Sequence, residues 1–252
     1  MSRTKLFFDF EFTGLHQKTT PISLGIMSEQ GHSFYAEFSD YDSGQLNQWI
    51  IDNVMPHLSE KAKIKSGSFE TVEVSDKSFV VYGDKIRIAN CLNGWIQQFE
   101  SVEMWGDCLA YDWVLFCNLF GGALNVPPNV YYIPFDLCTL FLQNDIDPNV
   151  DRIEWVKKQS SFGSNLEGKK HNALFDASII AQCVTTILQI KDRVDHYQNE
   201  IRKMMDVIVY NGENYAVFGG FISMRIKDGN KPTATVSRAA QNQCVKEILP
   251  EG

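Results

Sequence analysis

Hydrophobic and polar positions alternate sharply at the start of the chain. Residues 5–12 read Lys-Leu-Phe-Phe-Asp-Phe-Glu-Phe. A strand has a side-chain period of two, so Phe8, Phe10 and Phe12 share one face and Asp9 and Glu11 the other. Residues 21–27 and 33–38 are two further apolar runs, and Ser28 to Gly31 supplies a turn between them. Three antiparallel strands are therefore expected to open the chain. Residues 43–54 have a helical pattern, with Leu46, Trp49, Ile50 and Ile51 leaning to one side. Residues 59–84 are polar and serine-rich and read as an inserted loop or weak hairpin. Over 85–100, Ile88, Leu92, Trp95, Ile96 and Phe99 make the stripe of an amphipathic helix. A short strand from Val102 to Trp105 ends at Gly106. The pattern continues with a helix over 111–120, a strand over 130–135, a short helix over 137–143, a mobile loop over 159–170 and a long helix over about 173–190. Strands followed by alternating helices and strands imply an α/β fold, a mixed central sheet flanked by helices.

The end of the chain has a different rhythm. Val207 to Tyr210, then Asn211-Gly212, then Tyr215 to Phe218 predict a β-hairpin, with Phe221 to Ile226 as a third strand before a tail. The expected division is a main domain over 1–205, with its insertion at 59–84, and a C-terminal β-hairpin extension over 206–252.

Composition narrows the class. The chain has 252 residues, 44% hydrophobic, enough to bury a sizeable core. A net charge of −8 argues against a broad nucleic-acid-coating surface, but not against an enzyme that grips a few nucleotides through metal ions. None of the six cysteines forms Cys-x-x-Cys, and most have apolar neighbours, so reduced core thiols are expected. No run approaches the ~18 apolar residues of a membrane span. Asp9 also cuts the first apolar run too early for a signal peptide. The expectation is a soluble, cytoplasmic protein without membrane contact.

Four acids and one histidine stand out. Asp9 and Glu11, side by side on an apolar strand, are costly unless protonated or paired with a cation, although a strand end whose acids reach water also fits. Asp112 begins the helix over 111–120 on the same face as Leu115, Phe116 and Leu119, where N-capping is the simpler alternative. Asp176 falls in the first turn of the long helix beside Ala173, Ala177 and Ile180, where the helix dipole alone would favour it. His171 ends the loop that precedes that helix. Asp107 competes with Asp112 but has no apolar stripe, and a turn or cap is its better reading.

The order of these residues resembles the DEDDh-type 3′–5′ exonuclease superfamily, ribonuclease T- and oligoribonuclease-like, with a ribonuclease H-like fold. The first motif is Asp9-Phe-Glu11-Phe-Thr-Gly-Leu15. The second is Ala110-Tyr-Asp112-Trp-Val-Leu-Phe, and the third His171-Asn-Ala-Leu-Phe-Asp176-Ala. Trp105-Gly106 and His171-Asn-Ala look most like the compact bacterial and phage members. Phe12 departs from the Thr that many members carry.

The resemblance implies that Asp9, Glu11, Asp112 and Asp176 hold two metal ions and that His171 takes a proton from the attacking water. All-oxygen ligands suit Mg²⁺ or Mn²⁺, and two such ions about 3.5–4 Å apart clamp a scissile phosphate. Phe12, Thr13 and Leu15 would seat the terminal nucleotide. Lys169 and Lys170 either meet phosphates or form a solvated pair. The expected substrate is the 3′ end of single-stranded RNA or DNA, with RNA favoured and nucleoside 5′-monophosphates released. A DNA exonuclease of proofreading type and an inactive module that binds nucleic-acid ends remain alternatives. A glycosidase-like acid pair fits less well, because such carboxyls flank a bond rather than share one strand face. A homodimer is one expected assembly, from the resemblance and the apolar C-terminal hairpin.

Overall fold

Following the chain, β1 (Thr4–Phe12), β2 (Pro21–Ser28) and β3 (Ser33–Phe38) make the expected antiparallel meander. A 3₁₀ turn at Ser43–Gln45 and the short α1 (Gln48–Asn53) come next. Then follow β4 (Thr71–Ser75), β5 (Ser78–Gly83), α2 (Lys85–Ile96), β6 (Val102–Gly106), α3 (Asp112–Leu119), β7 (Phe135–Asp136), α4 (Leu137–Gln143), α5 (Arg152–Gln159) and α6 (Ala173–Met204). This computed structural model describes residues 3–58, 71–75, 77–159, 168–210, 213–218 and 221–226, with side-chain surroundings for 3–58, 77–159 and 168–199. The seven strands lie in the order β4-β5-β3-β2-β1-β6-β7. β5 joins β3, β6 joins β1 and β7 joins β6 in parallel, and β4 lies antiparallel on the edge. This is a mixed sheet flanked by helices, as in the ribonuclease H-like fold.

The alternation in β1 explains one side of the sheet. Leu6, Phe8 and Phe10 are buried with Leu24, Ile26, Phe34 and Ala36 against the stripe of α2 and against Leu115, Phe116 and Leu119 of α3. The Phe8 ring lies 5.8 Å from Phe116 and 6.4 Å from Phe10, centre to centre. Removing such a ring from water stabilises the fold by about 1.5–3 kcal/mol. Side chains close the helix starts: Asp84 accepts from the Arg87 amide at 2.8 Å, Asp136 from Thr139 at 2.9 Å and Asn47 from Ile50 at 2.9 Å.

Several elements differ from their sequence reading. Within 59–84, residues 59–70 and 76 lie outside the described residues. Apart from Asp84, which caps α2, the rest is the β4–β5 hairpin, one of the two forms expected, but β5 is an integral strand paired along its length with β3. The Phe79–Tyr82 run earns that place through a neighbour over 40 residues away, which local polarity conceals. The strand expected over 130–135 shrinks to β7 and a single bridge between Val130 and Val102. Pro134 removes a ladder donor there. The helix over 43–54 is split before Asn47; Ile50 is buried, whereas Trp49 and Ile51 face outward. α5 was not anticipated, and most of the loop expected over 159–170 lies outside the described residues. Part of α6 is apolar and long enough to cross a membrane by composition, with mean hydropathy 1.5, which the sequence reading missed. Ala177, Ile180, Cys183, Val184 and Ile187 on it are buried, as in a core helix.

The chain divides into two units, Met1–Ile187 and Leu188–Gly252. In the second, β8 (Met205–Tyr210), β9 (Glu213–Phe218) and β10 (Phe221–Ile226) form an antiparallel sheet in the order β10-β9-β8. The expected hairpin is present with its third strand.

Candidate active site

β1 outlasts β6. The parallel pairing of the two strands runs from Thr4↔Val102 to Phe7↔Trp105 and stops. The amide of Phe10 is therefore free to donate elsewhere, and it donates to Asp112 Oδ1 at 2.9 Å. Asp112 is the first residue of α3 and is 7% exposed. It does not cap its own helix: its carboxylate is tied to the strand segment between Asp9 and Glu11. Asp9 and Glu11 emerge on the face opposite the aromatic core, as the alternation requires.

α6 brings the remaining acid. Gly25 stands opposite Asp9 in the β1–β2 register, and a Cβ there would collide with the backbone of Ala173 and Leu174. Glycine thus lets the first turn of α6 rest on the sheet beside Asp9. Asn172 starts the helix by accepting from the Phe175 amide at 3.1 Å. Asp176 Oδ2 accepts from the backbone N–H of His171 at 2.7 Å. His171 has φ +68°, a left-handed conformation that costs a non-glycine residue about 1–2 kcal/mol. The turn aims its ring back over the acids. Nδ1 lies 3.7 Å from Glu11 Oε1, beyond hydrogen-bond reach, and the ring stands edge-on to Trp49 at 5.0 Å between centres.

The electrostatics follow from this crowding. Burial, then the charges of Asp112, Glu11 and Asp176, raise the Asp9 carboxyl well above the usual range. Burial, then Asp176 and Asp112, push Glu11 up to about 8. Asp112 and Asp176 are pushed up to about 6, mainly by burial, against the opposing pull of the Phe10 and His171 amides. Burial lowers His171, with help from Lys170 and His57. Ligand atoms of Glu11, His171 and Asp176 lie within 4.8 Å of one another.

These residues line an open cleft of about 730 Å³. Phe12 lies on its wall, stacked on Tyr111 with 5.5 Å between ring centres, and Leu15 projects into it at 77% exposure. Thr13 is elsewhere. Its amide donates to the Thr20 carbonyl and its hydroxyl to Gln45 Oε1 at 2.6 Å, so both build the loop. Lys170 lies at the rim, 3.8 Å from Asp151. Asp107 lies in the bend after β6 and caps no helix; both its oxygens accept from Arg152. Sequence reasoning missed Arg152, Tyr111 and Gly25. Asp107 and Arg152 are 45 residues apart with no shared pattern, so only the fold could pair them. The five cysteines among the described residues are unbridged.

The sheet topology and the placing of the acids define a class, and the comparisons name it. The family of the 3′-5′ exoribonuclease Rv2179c-like domain matches residues 4–188, and the chain belongs to that family. Two relatives from Mycobacterium tuberculosis, 3′-5′ exoribonuclease MT2234.1 of strain CDC 1551 / Oshkosh and 3′-5′ exoribonuclease Rv2179c of strain H37Rv, are each 26% identical over 126 residues. The aligned part is 50% of this chain and 67% of each relative. The family match ends where the second unit begins.

Proposed function

We propose that the protein is a metal-dependent 3′–5′ exoribonuclease that removes nucleoside 5′-monophosphates from the 3′ ends of single-stranded RNA. The observation that carries this reading is the convergence of Asp9, Glu11, Asp112 and Asp176, from three elements, on one cleft where burial raises every one of them and the neighbouring site acids raise Asp9 and Glu11 further. Among the described residues, six carboxylates line that cleft against two basic side chains, Arg152 and Lys170, each already facing an acid. Divalent cations are the complement such a donor set lacks, and its hard oxygens suit Mg²⁺ or Mn²⁺. The 3′–5′ polarity and the RNA substrate come from the family.

Asp9, Glu11, Asp112 and Asp176 would hold two such ions. When bound, the ions supply Lewis-acid polarisation of the scissile phosphate and a nucleophilic hydroxide near neutral pH. The chain's own residues do the rest. His171, kept neutral by its lowered pKa, takes the proton of the attacking water on its unprotonated ring nitrogen. The edge contact of the ring with Trp49 and the hydrogen bond from the His171 backbone N–H to Asp176 fix the angle of approach. Phe12 and Leu15 offer apolar surface to the terminal base and sugar, and stacking there tolerates any base.

Matched RNA and DNA oligomers, labelled at the 3′ or the 5′ end and incubated with Mg²⁺ or Mn²⁺, test the reading. Labelled mononucleotide should leave the 3′-labelled RNA at once, while 5′-labelled RNA shortens as a ladder. Faster digestion of DNA would move the substrate to the proofreading class. Undiminished turnover in excess chelator would end the metal scheme.

A further inference from the structure

Asp107, Cys138 and Arg152 form a cluster on the cleft wall that the proposed reaction does not use. Asp107 follows the last residue of β6. Its oxygens accept from Arg152 Nε at 2.8 Å and Nη2 at 2.9 Å. Nη1 donates to the carbonyls of Pro148 and Val150, each at 2.6 Å, and Nη2 also reaches Cys138 Sγ at 3.3 Å. A guanidinium has five N–H groups, so these five contacts leave none for a phosphate. The Cys138 thiol, pushed up to about 12 chiefly by burial, keeps its proton and donates to Asp107 Oδ1 at 3.2 Å. The guanidinium also lies 5.0 Å from the centre of the Phe141 ring. The planar fork meets all these partners at once, which a lysine ammonium cannot do.

The residue before Arg152 extends the line. Asp151 Oδ1 accepts from the Glu154 amide at 3.0 Å, which starts α5, and its Oδ2 lies 3.8 Å from Lys170 Nζ. Lys170 is bonded to His171, the residue held in a left-handed turn over the acids. A continuous set of contacts therefore runs from the end of β6 through Arg152, Asp151 and Lys170 to His171.

We propose that Asp107 and Arg152 are a positioning pair that locks residues 147–152 as the fixed wall of the cleft and, through Asp151 and Lys170, holds His171 in place. The proposal rests on the reading of His171 as proton acceptor. It takes Asp107 out of the candidate metal ligands and gives Arg152 and Lys170 supporting roles in place of phosphate contacts. The half-exposed Asp151–Lys170 pair would contribute little to stability, but a displaced general base loses rate steeply.

The test uses the full chain loaded with Mn²⁺ and the variants Arg152→Met, Asp107→Asn, their double, Arg152→Lys and Lys170→Met. Each of the first two should lower kcat at least ten-fold with KM within two-fold. The double should be no worse than the poorer single, and the Mn²⁺ requirement should not change. Arg152→Lys should not restore the rate. Lys170→Met, at an exposed side chain, should lower kcat several-fold with Tm unchanged, which keeps the test open if the anchor variants fold poorly. Hydrogen exchange without RNA should quicken in residues 168–172 as well as 148–156 in Arg152→Met. A raised Mn²⁺ requirement in Asp107→Asn alone would make Asp107 a metal ligand and overturn the proposal. So would a rise in KM with unchanged kcat in Arg152→Met or Lys170→Met, or unchanged exchange over 168–172. A wild type without nuclease activity would sink the functional reading, while the exchange data would still decide the anchor.

Discussion

Along β1, Phe8 and Phe10 lie against α2 and α3 at 0% and 3% exposure, while Asp9 between them and Glu11 beyond turn to the opposite face and meet Asp112 and Asp176. One backbone with one alternation serves two opposed ends. The aromatic face contributes stability through burial. The acidic face opposes folding when its acids are charged, because like charges are held together away from water. The apolar face makes the acidic one tolerable, and a bound cation would remove the opposition. The proposed chemistry therefore sits where the strand is least stabilising, and substitutions on the two faces should separate activity from stability.

The largest effect is expected on the acidic face. Asp9→Asn, Asp112→Asn and Asp176→Asn should each lower nuclease turnover on the order of 10³-fold while the circular dichroism of the fold is kept. An Asn variant with full turnover would break the contrast between the faces. His171→Ala should cost about 10²-fold in kcat and leave Mn²⁺ affinity, read by paramagnetic resonance, unchanged. A lost Mn²⁺ signal would instead make His171 a ligand. On the aromatic face, Phe8→Ala should destabilise the protein by about 3–5 kcal/mol in urea unfolding. A much smaller loss would show that this face is not the one that holds β1.

The smallest effect sharpens the comparison through pH. Glu11 is raised to about 8, and Asp112 and Asp176 to about 6, in the folded protein without metal. An acid whose folded pKa is raised keeps its proton in the folded state after the unfolded chain has lost it. Folding then takes up protons, and stability falls as pH rises from about 4 towards 8. In chelator, Tm should fall by about 5 °C between pH 5 and pH 8, Mn²⁺ should restore it, and Asp9→Asn should flatten the slope. A Tm that rises over that window would contradict the crowding of these acids.

How much of this could be read without the fold depends on the range of each signal. The alternation of β1, the stripe of α2 and the first-turn position of Asp176 are local patterns, and the structure has them all. β5 was legible only as part of a weak hairpin, because its pairing with β3 in the main sheet is remote in sequence. α5 went unseen although its capping acid, Asp151, acts within its own first turn; the arginine that anchors it acts through Asp107, 45 residues away.

By itself, the order of residues determined the mixed α/β architecture, the two faces of β1, and which acids and which histidine are candidates for chemistry. Those properties follow from periods of two and 3.6 residues and from charges that an apolar setting makes costly. Tertiary structure alone decided that β6 stops short and frees the Phe10 amide for Asp112, that Gly25 admits α6 beside Asp9, and that Thr13 serves its own loop. It also decided that Asp107 belongs to Arg152. Each of these depends on distances between segments far apart in the chain, and no local period encodes such a distance.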